Sequence, residues 1–238
     1  MYQTHKTYIK PHIKMSDLIN ENPTLLLLME YFEIDYTINN KTIDQICIEN
    51  KVNLSVFLIF SNLYNGFQPD KEEINTTNLD VSTIIKFLKN SHYFYKNEKF
   101  PEISQYIKKL YDNQNPEEIK RIENFFNNYF EEVLEHLNYE DEIAFPYFYQ
   151  LISKETKTNK IKFSVNEYRE HHTDIETKLS DLKTLLLKHI SLRNDFRLKR
   201  KILNSLFELE SDLSIHSMIE EKILLPLVDE IEKRKMNG

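Results

Sequence analysis

The chain has 238 residues, with 2 Gly, 7 Pro and no Trp, and its 31 basic and 38 acidic side chains give a net charge of −7. Gly66 and Gly238 are too few for a glycine-rich phosphate loop or a dinucleotide-binding turn, and hairpin-rich β folds would lack their usual turn residue. The acidic balance, without a long basic run, argues against nucleic acid as a partner, and the expected fold class is all-α.

The first 75 residues are predicted to form a small helical domain. Capping signals open three short helices, which cover residues 23–32, 43–50 and 54–64. The signals are Asn22 with Pro23, Thr42 with Gln45, and Asn53. Residues 65–80 contain Gly66, Pro69 and several Asn, Asp and Thr, a composition typical of a linker between domains.

From residue 81 the apolar positions recur at alternating steps of four and three, the spacing of one helix face turned toward its neighbours. Four such helices with short connections predict an up-down four-helix bundle over residues 80–234. The predicted stripes are Val81, Ile85, Leu88, His92 and Tyr95, then a kink or break near Pro101 before residues 103–110; Ile122, Phe126, Tyr129, Val133, His136, Glu140 and Ile143; Val165, Tyr168, His172, Ile175, Leu179 and Leu182; and Ile202, Leu206, Leu209, Leu213, His216, Glu220, Ile223 and Leu227.

The length of the apolar runs and the number of cysteines limit where the protein is expected and which metal ligands it can use. The longest apolar run, residues 25–29, is far shorter than the roughly 20 residues that span a bilayer. Residues 1–14 are polar and charged, unlike a signal peptide. We therefore expect no membrane partner and a cytoplasmic location. Cys47 is the single cysteine, so an intrachain disulfide and a thiolate metal cluster are excluded, and any metal site must use nitrogen and oxygen.

Each stripe carries one histidine where the pattern expects an apolar residue, and two stripes also carry a glutamate four residues after the histidine. The six residues are His92, His136, Glu140, His172, His216 and Glu220. Because each glutamate follows its histidine by four residues, it lies one helical turn further along on the same face of the helix. Because burying an unpartnered polar side chain costs roughly 2–7 kcal/mol, the six need a common partner. Two metal ions bridged by the carboxylates would supply it, and the alternative is a buried network of His–Glu hydrogen bonds.

Ligand type narrows the choice of ion. Without sulfur, iron, manganese and zinc remain, and the histidine-rich set favours iron. His171 lies about 100° around the helix from His172, off the stripe, so the pattern selects His172 as ligand. Glu176 is at the margin of the same stripe and is expected to lie beyond the ligands or to face solvent. His5, His12 and His189 are expected on the surface.

A repeat joins the second and fourth stripes. His136-Leu-Asn-Tyr-Glu140 and His216-Ser-Met-Ile-Glu220 are each followed by a proline ten residues after the histidine. With Glu170-His171-His172, and with Ser91-His92 before Phe100-Pro101, this pattern resembles the hemerythrin-like domain of the di-iron "repair of iron centres" (RIC) proteins over about residues 80–234.

The resemblance implies a non-haem centre of two iron ions with room for an oxo bridge. It implies that His92 and His136 bind one iron, that His172 and His216 bind the other, and that Glu140 and Glu220 bridge them. Oxygen-carrying hemerythrins have a second histidine four residues after the first in the third helix and an aspartate in the fourth. Here Glu176 and Glu220 stand at those positions, which favours the RIC branch.

The N-terminal segment resembles the short helical domain that precedes the bundle in RIC proteins. That domain usually has a Cys-Cys pair after Asp-Tyr or Asp-Phe, whereas Thr37-Ile38 follow Asp35-Tyr36 here. A thiol-dependent task of this domain is therefore not supported.

Three functions follow as hypotheses. The first is a role in nitrosative and oxidative stress, by supplying iron to damaged iron–sulfur clusters or by handling nitric oxide. Iron–sulfur proteins, a diatomic ligand (NO or O2) and a second copy of the chain are the expected partners. The second is a sensor or storage protein that binds oxygen or nitric oxide and signals through residues 1–75. The third is a helical interaction domain with a structural metal.

Overall fold

The computed structural model describes residues 6–69, 74, 79–110, 116–153, 173–188 and 196–236. Within these residues every regular element is a helix, which confirms the all-α fold class, and extended backbone pairs only in an isolated bridge between Lys14 and Thr42. None of the described helices is both long and apolar enough to cross a bilayer.

Four short helices come first: α1 Met15–Glu21, α2 Leu25–Tyr31, α3 Ile43–Asn50 and α4 Leu54–Tyr64. The bounds of α3 and α4 are those predicted from their caps. The Thr42 N–H donates to Gln45 Oε1 at 3.1 Å, and the Val56 N–H donates to Asn53 Oδ1 at 3.1 Å. The second helix starts two residues later than predicted, because Asn22 Oδ1 instead accepts from Thr24 and closes a turn before the helix.

The long helices follow, and within the described residues three of them contain a π-helical turn. The first consists of α5 Val81–Phe94, π1 Tyr95–Lys99 and α6 Phe100–Lys109; the second of α7 Pro116–Tyr139, π2 Glu140–Ala144 and α8 Phe145–Ile152; the third is α9 Thr173–Lys188; and the fourth consists of α10 Phe196–Ile219, π3 Glu220–Leu224 and α11 Leu225–Met236.

Each π turn lies just before a proline. Pro146 has no N–H and cannot donate to the carbonyl one turn back, and the widened turn before it contains one residue more than an α turn. The Phe145 N–H donates to the Glu140 carbonyl five residues earlier. The Phe100 N–H, before Pro101, donates in the same way to the Tyr95 carbonyl. The kink or break predicted near Pro101 is therefore a widened turn inside a continuing helix.

The widened turns correct two predicted core positions. Ile143 and Leu227 were expected on buried stripes, but each is half-buried, whereas the next residue in the chain, Ala144 or Val228, is buried. A π turn contains one more residue than an α turn, so it moves the buried face by one position. The other stripe residues whose side chains are described are buried.

The chain divides into two compact units, one formed by Met1–Ser91 with Lys222–Gly238 and the other by His92–Glu221. In the first unit, Phe87 of α5 packs against Tyr31, Phe32 and Phe60, with ring centroids 4.8 to 5.2 Å apart. The first turns of α5 therefore pack with the N-terminal helices. The predicted division into an N-terminal domain of residues 1–75 and a bundle of residues 80–234 stays a prediction.

In the second unit, α6, α7, α9 and α10 pack in a closed ring, each against the next in chain order and the last against the first. This is the arrangement of a four-helix bundle whose sequential helices are neighbours. Its interior is apolar, with Phe100, Ile103, Ile122, Phe126, Leu179, Leu182, Ile202 and Leu206 buried. The predicted bundle is confirmed.

Candidate metal centre

Five of the six predicted ligands lie in the described part of the chain, all within the second compact unit. His92, His136 and His216 are in the last turns of α5, α7 and α10, and Glu140 and Glu220 are the first residues of π2 and π3. All five are at most 7% exposed. His172 and His171 lie outside the described residues. Glu176 and Ile175 belong to α9, but their side chains lie outside the description.

The structure brings the side chains of these five residues into contact. Glu140 reaches His136 Nε2 with Oε1 at 3.0 Å and His92 Nε2 with Oε2 at 3.2 Å. Glu220 Oε1 is 3.3 Å from His216 Nε2. The spacing of four in the sequence therefore does place each glutamate beside its histidine. Glu140 turns its two oxygens toward histidines of different helices, as a bridging carboxylate must.

The first and fourth long helices also meet at the centre. His92 Nε2 lies 3.4 Å from His216 Nε2, and ligand atoms of His92, Glu140, His216 and Glu220 all lie within 4.8 Å of one another. His92 also lies 3.2 Å from Glu140, which contacts His136, and in the closed ring the first helix neighbours both the second and the fourth. The pairing of His92 with His136 that the resemblance implied stays a prediction.

The electrostatics of the group are those of opposite charges held in a buried site. Burial alone would lower the pKa of His92, but hydrogen bonds and negative charge from Asp141 and Glu140 raise it to about 9. Burial likewise opposes ionisation of Glu140, yet His136 and His92 hold the pKa of its carboxyl well below the usual value. Burial and the positive charge of His92 lower the pKa of His216 to about 3. The pKa values of these two adjacent imidazoles are therefore shifted in opposite directions.

Asp141 contacts His92 directly, and it was not predicted from the sequence. Its Oδ1 lies 3.0 Å from His92 Nδ1, and its Oδ2 accepts from Lys96 Nζ at 2.8 Å. Burial opposes ionisation here too, but His92 and Lys96 lower the pKa of the Asp141 carboxyl. Its position immediately after Glu140 gave no signal, because neighbouring residues of a regular helix face different directions.

A buried pair beside His216 was also missed. The Tyr95 hydroxyl donates to Asp212 Oδ2 at 2.7 Å, and the Tyr95 ring packs edge-on against His216 with centroids 5.8 Å apart. A signal did exist for Tyr95. It stands six residues before Pro101, as Glu140 stands before Pro146 and Glu220 before its proline, and all three residues open a π turn.

This alignment explains an irregular spacing in the first helix. His136 and His216 precede their glutamates by four residues, whereas His92 precedes Tyr95 by three. His92 therefore stands nine rather than ten residues before its proline. Tyr95 occupies, in the first helix, the position that the second and fourth helices give to a carboxylate.

The donor set fits a metal ion. An ion about 2.1 Å from each of two imidazole or carboxylate ligands holds them about 3 Å apart in tetrahedral or octahedral geometry. The separations in the structure, 3.0 to 3.4 Å, match this spacing. Nitrogen and oxygen ligands without sulfur suit iron, manganese or zinc.

Two comparisons with known proteins bear on this centre. The family described as "Hemerythrin HHE cation binding domain" matches residues 97–228, more than half of the chain. The chain is also similar to a protein of Staphylococcus haemolyticus (strain JCSC1435) named "Iron-sulfur cluster repair protein ScdA". The two are 22% identical over 157 residues, which cover 65% of this chain and 70% of that protein.

Proposed function

The chain belongs to the hemerythrin HHE cation-binding family, and from this premise we propose that its bundle holds two iron ions used in the repair of damaged iron–sulfur clusters. The resemblance to hemerythrin-like RIC proteins is confirmed, and the similar protein from Staphylococcus is named for cluster repair. We further propose a cytoplasmic location and iron–sulfur proteins as partners.

The observation that carries the proposal is the position of Glu140 between two histidines. Its oxygens lie 3.0 and 3.2 Å from imidazole nitrogens of the second and first long helices. In the proposed centre, His92 and His136 would hold one ion, and His172 and His216 would hold the other. Glu140 and Glu220 would be shared between them.

The same contacts suit a site that gives iron away. In the structure, His136 and His92 contact Glu140, and His216 contacts Glu220. The buried histidines and carboxylates therefore have each other as partners without a metal, and departure of an ion does not leave them as isolated buried charges. From the sequence, metal binding and a His–Glu network are alternative explanations of the buried residues. In this proposal they are two states of one site, with and without the metal.

The first test is metal content. We expect close to two iron atoms per chain after expression in iron-replete medium, measured by elemental analysis with an absorption spectrum. A count near one, or full zinc occupancy under the same conditions, would contradict the di-iron centre.

The second test is iron transfer. Iron-loaded protein is mixed anaerobically with a hydratase whose iron–sulfur cluster has lost one iron, and recovery of hydratase activity is followed. We expect recovery in proportion to the iron lost by the donor. Glu140→Gln should abolish recovery, and Glu142→Gln, a change of an exposed acid in the same turn, should leave it intact. Full loading without transfer, together with an iron–nitrosyl band on mixing with nitric oxide, would instead favour the diatomic-binding function.

The third helix has its own test. We expect His172→Ala to lower bound iron and His171→Ala largely to spare it, since only the former lies on the apolar stripe. The reverse result would show that the buried face of this helix was assigned one residue away from its true position.

A further inference from the structure

We propose that Asp141 is a positioning residue for His92 and that, together with Lys96, it forms a latch that sets how fast a metal ion leaves the centre. The proposal rests on the metal centre proposed above, but it does not depend on which ion is bound or on cluster repair. We use "latch" for the three side chains of His92, Asp141 and Lys96.

The two nitrogens of the His92 ring have different surroundings. Nε2 faces the centre, 3.2 Å from Glu140 Oε2 and 3.4 Å from His216 Nε2. Nδ1 faces away from it, 3.0 Å from Asp141 Oδ1. An imidazole that binds a metal through one nitrogen carries its proton on the other, and a carboxylate that accepts this proton fixes both the tautomer and the ring orientation. Asp141 therefore directs Nε2 toward the ion.

The ring is held on a second side by an aromatic residue. His92 stacks on Phe145 with ring centroids 5.5 Å apart and an angle of 22° between the planes. Stacking restrains the tilt of the imidazole but allows it to rotate within its own plane. The hydrogen bond to Asp141 removes that remaining freedom, so the two contacts together fix the ligand.

Lys96 occupies the other oxygen of Asp141. Its Nζ donates to Asp141 Oδ2 at 2.8 Å and to Asn138 Oδ1 at 3.0 Å. Lys96 belongs to π1 and Asp141 to π2, so this ion pair joins the first and second long helices. His92 is 1% exposed, whereas the Asp141 and Lys96 side chains are 23% and 21% exposed. The latch thus connects a fully buried ligand to groups that reach solvent.

Opening of the latch is the step expected to precede loss of the ion. When Lys96 and Asp141 separate, the Asp141 carboxylate can turn toward solvent. His92 then loses the contact that keeps Nε2 on the ion. A carboxylate that orients a ligating histidine typically contributes 10- to 100-fold to metal affinity. We expect this contribution in the dissociation rate, because the latch restrains a ligand that is already bound.

The first experiment measures release of Zn²⁺ from the full-length zinc-loaded protein into a chromophoric chelator. Asp141→Ala should accelerate release roughly 10- to 100-fold, Asp141→Asn should do so less because the amide oxygen still accepts, and Lys96→Met should have a smaller effect. Lys96→Met should add nothing in the Asp141→Ala background, because Lys96 acts through Asp141. The matched control is Glu142→Ala, an exposed acid of the same turn, which should release zinc as the wild type does.

The second experiment follows His92 itself by ¹⁵N-histidine NMR of the metal-free protein. We expect a protected, far-downfield Nδ1–H signal of His92 that is lost in Asp141→Ala and retained in Asp141→Asn. If the wild type binds no zinc, the proposed centre fails, and this signal alone decides the role of Asp141. If Asp141→Ala does not fold, Asp141→Asn and Lys96→Met decide the zinc experiment. Unchanged release together with an unchanged signal, or equal acceleration in Glu142→Ala, would overturn the latch.

Discussion

Raising the pH should destabilise the metal-free protein through His92. The ordinary pKa of 6.5 for this histidine is raised to about 9 in the folded chain. A group that binds its proton more tightly when folded contributes stability that is complete below pH 6.5 and is lost as pH rises through 9. At about 1.4 kcal/mol per pH unit, this interval corresponds to about 3 kcal/mol. For a chain of this length, the melting temperature should fall by roughly 6–12 °C.

His216 should act in the opposite direction. Its pKa is lowered to about 3. Its contribution is therefore present above pH 6.5 and is lost as pH falls toward 3, so the two histidines together place a stability maximum near pH 6.5. The raised pKa of His136, which burial opposes and Glu140 causes, adds to the alkaline loss.

The assay is thermal unfolding of chelator-treated protein, followed by circular dichroism between pH 6.5 and 9. His92→Gln should reduce the alkaline slope, whereas Glu142→Gln should keep it. A wild-type melting temperature that is constant or rises across this interval would refute the charge arrangement derived for the centre.

Three further outcomes are expected. Glu140→Ala and Glu220→Ala should each lower bound iron more than Glu176→Ala, because a bridge contacts both ions; equal iron in all three would reject the assigned bridges. Burial raises the pKa of Cys47 to about 12. Its thiolate fraction at pH 8 is therefore roughly a thousandfold below that of a free thiol, and we expect slow alkylation by iodoacetamide. Rapid alkylation of the folded protein would contradict this. Residues 80–234 should fold and load iron alone, although α5 then exposes a phenylalanine at a cost of about 1.5–3 kcal/mol; a folded fragment without iron would show that residues 1–75 contribute to the centre.

Helix caps and apolar spacing predicted much of the fold, because both depend only on residues that are close together in the sequence. The capping residues Thr42 and Asn53 gave helices with the observed bounds, and the steps of four and three gave the bundle. Helix α1 was missed because Lys14 stands at its N-cap and makes no side-chain capping hydrogen bond. Without a capping residue, a helix of 7 residues has no marker in the sequence.

The candidate site was predictable where its contacts lie within one helix. The spacing of four from His136 to Glu140 is visible in the sequence and gives a 3.0 Å contact. The pairing of His92 with Asp141 joins different helices, and it depends on how those helices lie against each other. No spacing along the chain encodes it. The one-residue slip of the stripes was hidden because periodic patterns assume a constant number of residues per turn.

The π turns make chain length as important as side-chain identity at the centre. A π turn is an α-helix that carries one inserted residue. Inserting one further residue between 141 and 144 would exceed the single extra residue that the π turn holds and would rotate α8 by about 100° relative to α7, which would turn Phe145 and Phe148 out of the core. Such an insertion changes no ligand, yet it should disrupt the bundle more than any single substitution of an exposed residue in this turn. Between residues 65 and 69, where no helix must keep its register, the same one-residue insertion should be absorbed.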